Sequence, residues 1–378
     1  MVDKCKYFND CTTTCTLMLD DMVPAAVSID NEIKTSGDWG YLLDLPGSLY
    51  DYFNQNLLKK YPEIKGTIFM PLESQHYIDK SRGFNVYSKP ITNSEYLKYL
   101  DRISHKFEVA FHGIKHHYFC KIKNGNIHEF TSINKEELLD LANKTREFQK
   151  STGLNFIGGK FPGYKYNEQA LQMLELLNTK WWALDIDMIN KKHKKNCLIV
   201  DPRNNIVHLP SNITGDIFLT SLRPYNKIKK LIKRVFTNKY FKDPIGYLYY
   251  LYNNRLPITI QEHFQNQKTD GKRQTPNVYD DIYSLDILYG ILRPLDIWHA
   301  TCSEIAHYFE SYTNSNLEVL SKNTFSIVYS GTWPEMFLSV KTNTPKIMHI
   351  NTGEELQGIF KNEGWIFNNI PVGEYRLL

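Results

Sequence analysis

Residues 93–117 read NSEYLKYLDRISHKFEVAFHGIKHH. A helical spacing of apolar residues gives way to the apolar run FEVAF and then to a polar loop holding three histidines. The same order recurs along the first half of the chain. SLYDYFNQNLLKKYPEIKGTIFMP (48–71) reads as a helix followed by a strand that begins near Lys65. NKEELLDLANKTREFQKSTGLNFIGGKFPGYKYN (134–167) opens with an Asn-x-x-Glu capping pattern at Asn134 and Glu137. NEQALQMLELLNTKWWALDID (167–187) gives a further helix and strand. Ahead of them, TCTLMLDDM (14–22) is a short apolar run ending in two carboxylates, a buried strand with an exposed carboxyl end. Helix and strand alternating through short connections predict an α/β fold with a parallel sheet.

The second half is less regular. NNIVHLPSNIT (204–214) is a strand leaving into a proline-containing loop, and PITIQEHFQNQ (257–267) is a strand with His263 at its exit. Residues 284–315 are helical in period, with a break near Pro294. Beyond them NTFSIVYSG, EMFLSVKTN, PKIMHINTG and GEYRLL alternate apolar and polar residues between Gly, Asn and Pro. That pattern predicts a small antiparallel β domain. The expected division is therefore 1–320 for the α/β unit and 321–378 for the accessory unit.

The 378 residues are 42% hydrophobic and 23% charged, ordinary for a globular protein. A net charge of +4 is too small to argue for nucleic acid, and the basic run NKIKKLIKRVF (226–236) reads as a solvated helix face. No run of about eighteen apolar residues predicts a transmembrane helix. The amino-terminal sequence lacks the pattern of a secretory leader. Cys5, Cys11, Cys15, Cys120, Cys197 and Cys302 form no CxxC pair, so free thiols in a reducing, cytoplasmic setting are expected.

In parallel α/β folds, ligands sit at the carboxyl ends of the strands. Asp20 and Asp21, His112, the segment GGKFPGY (158–164), Asp185 with Asp187, and His263 all fall at such ends. His112 and His116 are spaced i, i+4, which on one helical turn puts both rings on one face and suits two-point metal ligation. A carboxylate from the first strand end completes three ligands. Such a site leaves a position for water, whose pKa a bound metal lowers toward about 7. A second carboxylate beside it can take the remaining proton.

These segments resemble the ordered motifs of the polysaccharide deacetylase family (the NodB-homology domain of carbohydrate esterase family 4). LMLDDM (17–22) resembles the first motif, which implies Asp20 as general base and Asp21 as metal ligand. FHGIKHH (111–117) resembles the second, which implies His112 and His116 as the other ligands. Gly113 stands there in place of a hydroxyl residue that normally braces the loop. GKFPGY (159–164) resembles the third, with Lys160 where arginine is usual and Tyr164 near the developing oxyanion through its hydroxyl or backbone amide. WWALDID (181–187) is similar to the fourth, making Trp182 and Asp185 or Asp187 candidate substrate contacts. ITIQEHF (258–264) resembles the fifth, which makes His263, in preference to His208, the acid for the departing amine. DIWHATCSEIAHYF (296–309) looks like the closing helix of such domains.

The resemblance covers about residues 14–310. It implies a distorted (β/α) barrel and a divalent metal, zinc first and cobalt or nickel as alternatives. The implied reaction is hydrolysis of an N-acetyl group on an amino-sugar-containing saccharide or a soluble precursor. An O-deacetylase or amide hydrolase on the same site is the alternative enzyme. A carbohydrate-binding or scaffolding protein with weak activity is the alternative of another class. His117 reads as a loop residue, and Trp298 and Trp333 as packing.

Overall fold

Thr13–Asp20 (β1) has all eight residues buried. Its alternate side chains enter two cores, which is why the run is continuously apolar rather than alternating. Cys15, Leu17 and Leu19 pack under the helices, whereas Met18 packs with Phe69, Ala110 and Trp181 on the other face. The computed structural model describes residues 2–22, 25–26, 49–73, 86–87, 94–120, 125–185, 198–201, 205–220, 239–264 and 275–378. Asp187, Cys197 and the basic run 226–236 lie outside the described residues.

The predicted parallel sheet is present. Gly66–Met70 (β2), Phe107–Phe111 (β3), Gly158–Gly159 (β4), Trp181–Asp185 (β5), Val207–Ser211 (β6) and Ile258–His263 (β7) run parallel with β1. Their spatial order is β6-β5-β4-β3-β2-β1-β7. After β6 the chain passes through Asn212 into Ile213–Thr214, which pairs with β7 at the far end of that order. Asn212 reinforces this crossing: its side chain donates to Pro257 O at 2.6 Å and accepts from Thr259 N at 3.0 Å. Pro210 does not end the strand as the sequence suggested, because β6 continues to Ser211.

Helices fill the connections where expected. Ser94–Ile103 buries Tyr96, Tyr99, Leu100 and Ile103 on one face. Lys135–Thr152 starts with the predicted capping box, Asn134 accepting from Glu137 N while Glu137 accepts from Asn134 N. Gly158 is required at its position, since a Cβ there would lie 1.9 Å from the Trp181 ring. The predicted closing helix is shorter than its motif: Ile297–His299 is a strand pairing with β1, and the helix runs Cys302–Asn314. The amino end of that helix covers the amino ends of the strands. There Cys302 N donates to Thr67 Oγ1 at 2.9 Å, Ser303 N to Glu108 Oε1 at 2.8 Å, and Trp181 Nε1 to Ser303 Oγ at 2.7 Å.

Two antiparallel sheets make up the carboxyl-terminal region. One orders Ser315–Ser321, Thr324–Tyr329, Gly373–Leu377, Lys346–His349 and Glu355–Gln357. The other orders Val2–Lys4, Ser339–Thr342, Gly364–Asn368 and Ile359–Lys361. The region thus begins at Ser315, before residue 321, and draws a strand from the amino terminus. Trp298 packs between Phe8, Tyr308 and Phe337, and Trp333 stacks on His307 at 4.3 Å. Among the described residues, no helix is long and apolar enough to cross a membrane.

Candidate active site

The carboxyl ends of β1, β3, β4 and β7 bring six of the expected residues together. Asp20, Asp21, His112 and Lys160 are each at most 3% exposed, and His116 is 8% exposed. Asp21 Oδ1 lies 3.5 Å from His112 Nε2 and 3.2 Å from His116 Nε2. One ligand atom from each of these residues falls within 4.8 Å of the others. Among the described residues, this is the group of acids, histidines or cysteines with such a geometry.

The two histidines do not share a helical turn, as their spacing suggested. Residues 112–116 form a bent loop, and the ring centroids come within 5.0 Å because His116 turns back at φ +63°. Asp21 and Tyr164 also hold positive φ, at +66° and +55°. For residues other than glycine such a backbone costs on the order of 1–3 kcal/mol, and it clusters at sites where geometry serves function.

The donor set fits a divalent transition metal. His112 Nδ1 donates to Lys160 O at 3.0 Å, which leaves Nε2 as the bare nitrogen facing Asp21. Burial first, and then the Lys160 ammonium, hold the His112 imidazole well below its ordinary value, so the ring is neutral as a ligand must be. Two imidazoles and one carboxylate leave further coordination positions open, the arrangement of hydrolytic zinc sites.

Beside this group, the Lys160 ammonium pairs with Asp20 Oδ1 and stands 4.2 Å over the Phe69 ring. Gln261 Nε2 donates to Asp20 Oδ2 at 3.1 Å. That oxygen lies 3.9 Å from His112 Nε2 and 4.0 Å from His263 Nε2. Burial pushes the Asp20 carboxyl up to about 6 against the opposing pull of Lys160. His263 Nδ1 donates to Pro276 O at 2.8 Å, which aims Nε2 at the cluster. His208 lies elsewhere, 3.5 Å from Asp201.

Tyr164 reaches the site by its hydroxyl, which donates to Gln261 Oε1. Its backbone amide donates to Phe161 O at 2.9 Å, so that amide is not the oxyanion donor the sequence suggested. Burial, then the Asp20 charge, raise the Tyr164 hydroxyl well above its ordinary value. Asp185 stands at the end of β5 near enough to Tyr164 to add to that effect. Trp182 is not brought to the site. It is 1% exposed and packs against Phe161 and Phe111 in the core under the helices, because adjacent strand residues face opposite ways. The side chain of His117 is outside the described residues, and its backbone opens the strand His117–Cys120.

Three contributors, Gln261, Ser211 and Glu129, were missed in the sequence. Gln261 lies two residues before His263 on β7 and therefore faces the same way, a signal the strand period carries. Ser211 Oγ joins it, donating to Gln261 Oε1 at 3.0 Å. Glu129 holds the ligand loop through Ile114 N, and no sequence spacing announces it, because the hairpin of His117–Cys120 with Gly125–His128 delivers it. Cys5, Cys11, Cys15 and Cys302 are buried free thiols, and none belongs to the Asp21, His112 and His116 group.

No protein-family model matches the chain, and no curated protein does. Among solved structures it is similar to a protein of Mycobacterium smegmatis described as a polysaccharide deacetylase, at 14% identity over 86% of this chain and 96% of that one, with a TM-score of 0.43. A protein of Pseudomonas aeruginosa described in the same way is similar at 13% identity over 80% and 93%, TM-score 0.42. A carbohydrate esterase family 4 pseudoenzyme of Bacillus anthracis is similar at 13% identity over 78% and 65%, TM-score 0.35. The solved structures to which the chain is similar thus include polysaccharide deacetylases, the family its motifs resemble.

Proposed function

We propose that the protein is a metal-dependent hydrolase that removes an N-acetyl group from an amino-sugar-containing saccharide or its precursor. The observation that carries this reading is the buried Asp21, His112 and His116 group set directly against the Asp20–Lys160 pair. We take the strand pairing through 207–214 as closure of a distorted (β/α) barrel whose carboxyl-end face is the site.

Asp21, His112 and His116 would hold the cation, zinc first and cobalt or nickel as alternatives. When bound there, the cation supplies Lewis-acid polarisation of the acyl group and a more acidic water. Asp20 is the base. Lys160 on Oδ1 holds it ionised at neutral pH, and Gln261 on Oδ2 fixes its plane, so Oδ2 can take a proton from water entering between it and the ligand group. The proton taken by Asp20 Oδ2 can pass to His263 Nε2, 4.0 Å away, and from there to the departing amine. A neutral amide nitrogen leaves only when protonated, which is why an acid opposite the base suits an amide. Tyr164 and Asp185 at the rim offer a hydroxyl and a carboxylate to sugar hydroxyls.

The test is amine release from N-acetylglucosamine oligomers by zinc-loaded protein, with and without chelator. Chelator-sensitive release that Asp20→Asn abolishes is the expected result. Acetate release from O-acetyl sugars alone would move the reading to the O-deacetylase alternative. No release from either class, with metal bound, would favour a binding protein.

A further inference from the structure

Between His112 and His116 the chain makes a sharp turn, and one side chain gathers its backbone. Glu129, 7% exposed, accepts from Ile114 N at 2.8 Å on Oε2 and from Lys115 N at 3.2 Å on Oε1. Its own backbone N donates to His116 O at 3.1 Å. Consecutive residues of the loop are thus tied to one carboxylate residue, on its side chain and its main chain together. The carboxylate occupies space that only glycine leaves: a Cβ on Gly113, at φ +82°, would lie 2.5 Å from Glu129 Oε2. Gly113 and Glu129 fit one another, and the residues flanking this contact are the two imidazoles.

We propose that Glu129 is a positioning residue for the metal centre, acting through His116. The inference rests on the metal-binding reading above. His116 holds a left-handed backbone uncommon outside glycine, and its Nε2 must stay 3.2 Å from Asp21 Oδ1 for the three donors to converge. The bond from Glu129 N to the His116 carbonyl, together with the carboxylate on the two preceding amides, holds that conformation. Two oxygens on one planar group take the two amides, whereas a carboxamide presents one oxygen and a donor.

Zinc affinity is measured by chelator competition on wild type, Glu129→Gln, His116→Ala and the double variant, with far-UV circular dichroism on each. The expected result is a loss of about 10-fold to 100-fold for Glu129→Gln at native dichroism, the range for partners that orient metal ligands. In the His116→Ala background the second substitution should add little, because Glu129 works through His116. Cobalt-loaded Glu129→Gln should also show an altered ligand-field spectrum, which a purely structural role would not produce. Wild-type affinity within about twofold in Glu129→Gln overturns the proposal, as does an equal loss in both backgrounds. If Glu129→Gln fails to fold, Glu129→Asp decides: it keeps both oxygens on a shorter arm, so weakened zinc binding supports the proposal and unchanged binding overturns it. A wild type that binds no zinc, cobalt or nickel overturns the metal-binding reading itself, and this inference with it.

Discussion

At the carboxyl ends of the strands, Asp20 lies against the Lys160 ammonium, the Gln261 amide and two imidazoles. At the amino ends, Glu108 accepts from the Thr67 hydroxyl at 2.7 Å and from Ser303 N at 2.8 Å. Both carboxyls are raised by burial. Their partners differ in kind. Glu108 meets neutral donors at the start of the helix Cys302–Asn314, where a negative charge is favoured by the unsatisfied amides. Asp20 meets groups that can carry, hold or give up protons. Asp20 is 3% exposed and Glu108 only half-buried: the acceptor at one pole joins helix to sheet, and the one at the other sits among titratable groups.

The sharpest way to break this contrast is to alter Asp20. Asp20→Asn should keep zinc and the fold but lower deacetylation about 10²-fold to 10⁴-fold, the usual contribution of a positioned base. A full rate in a steady-state assay would remove Asp20 from the reaction. His263→Gln should cost about 10²-fold on amide substrates at unchanged metal content. At the other pole, Glu108→Ala should leave zinc binding intact and lower unfolding free energy by about 1–3 kcal/mol in urea, because the Thr67 hydroxyl and Ser303 N lose their acceptor. A loss of zinc there would show that the two poles are not independent.

The smallest effect is a slope. Burial holds the folded Glu108 carboxyl above its ordinary 4.5, so the folded state keeps a proton that the unfolded chain releases. Its contribution to stability is present below 4.5 and lost as pH rises through the folded value. Glu108→Gln removes that dependence, so wild type should lose stability relative to the variant as pH rises above 4.5. Parallel urea titration curves across that range would contradict it.

Much of the parallel sheet was legible in the sequence because several strands are apolar runs preceded by a helical period, as in 94–111. That Asp20, Asp21, His112 and His263 come together was legible for the same reason: a strand end is easy to place, and parallel strands gather the residues at and just beyond their ends. The loop 112–116 was not, since a spacing of four is shared by a helix and by a bent loop, and the loop's partner Glu129 comes from a hairpin. That hairpin also accounts for Gly113, where the resemblance led one to expect a hydroxyl side chain. Trp182 misled because the WW pair puts one ring on each face of β5, and Trp181 and Trp182 are both core. The start of the carboxyl-terminal sheets at Ser315 was hidden because the helix Cys302–Asn314 passes directly into a strand, with no loop between them.

The central claim is that Asp21, His112 and His116 hold a metal. The direct measurement is elemental analysis of transition metal per chain in protein purified without chelator, beside the His116→Ala variant. The account predicts near one equivalent in wild type and little in the variant. No metal in either, even after adding zinc, cobalt or nickel, would contradict it.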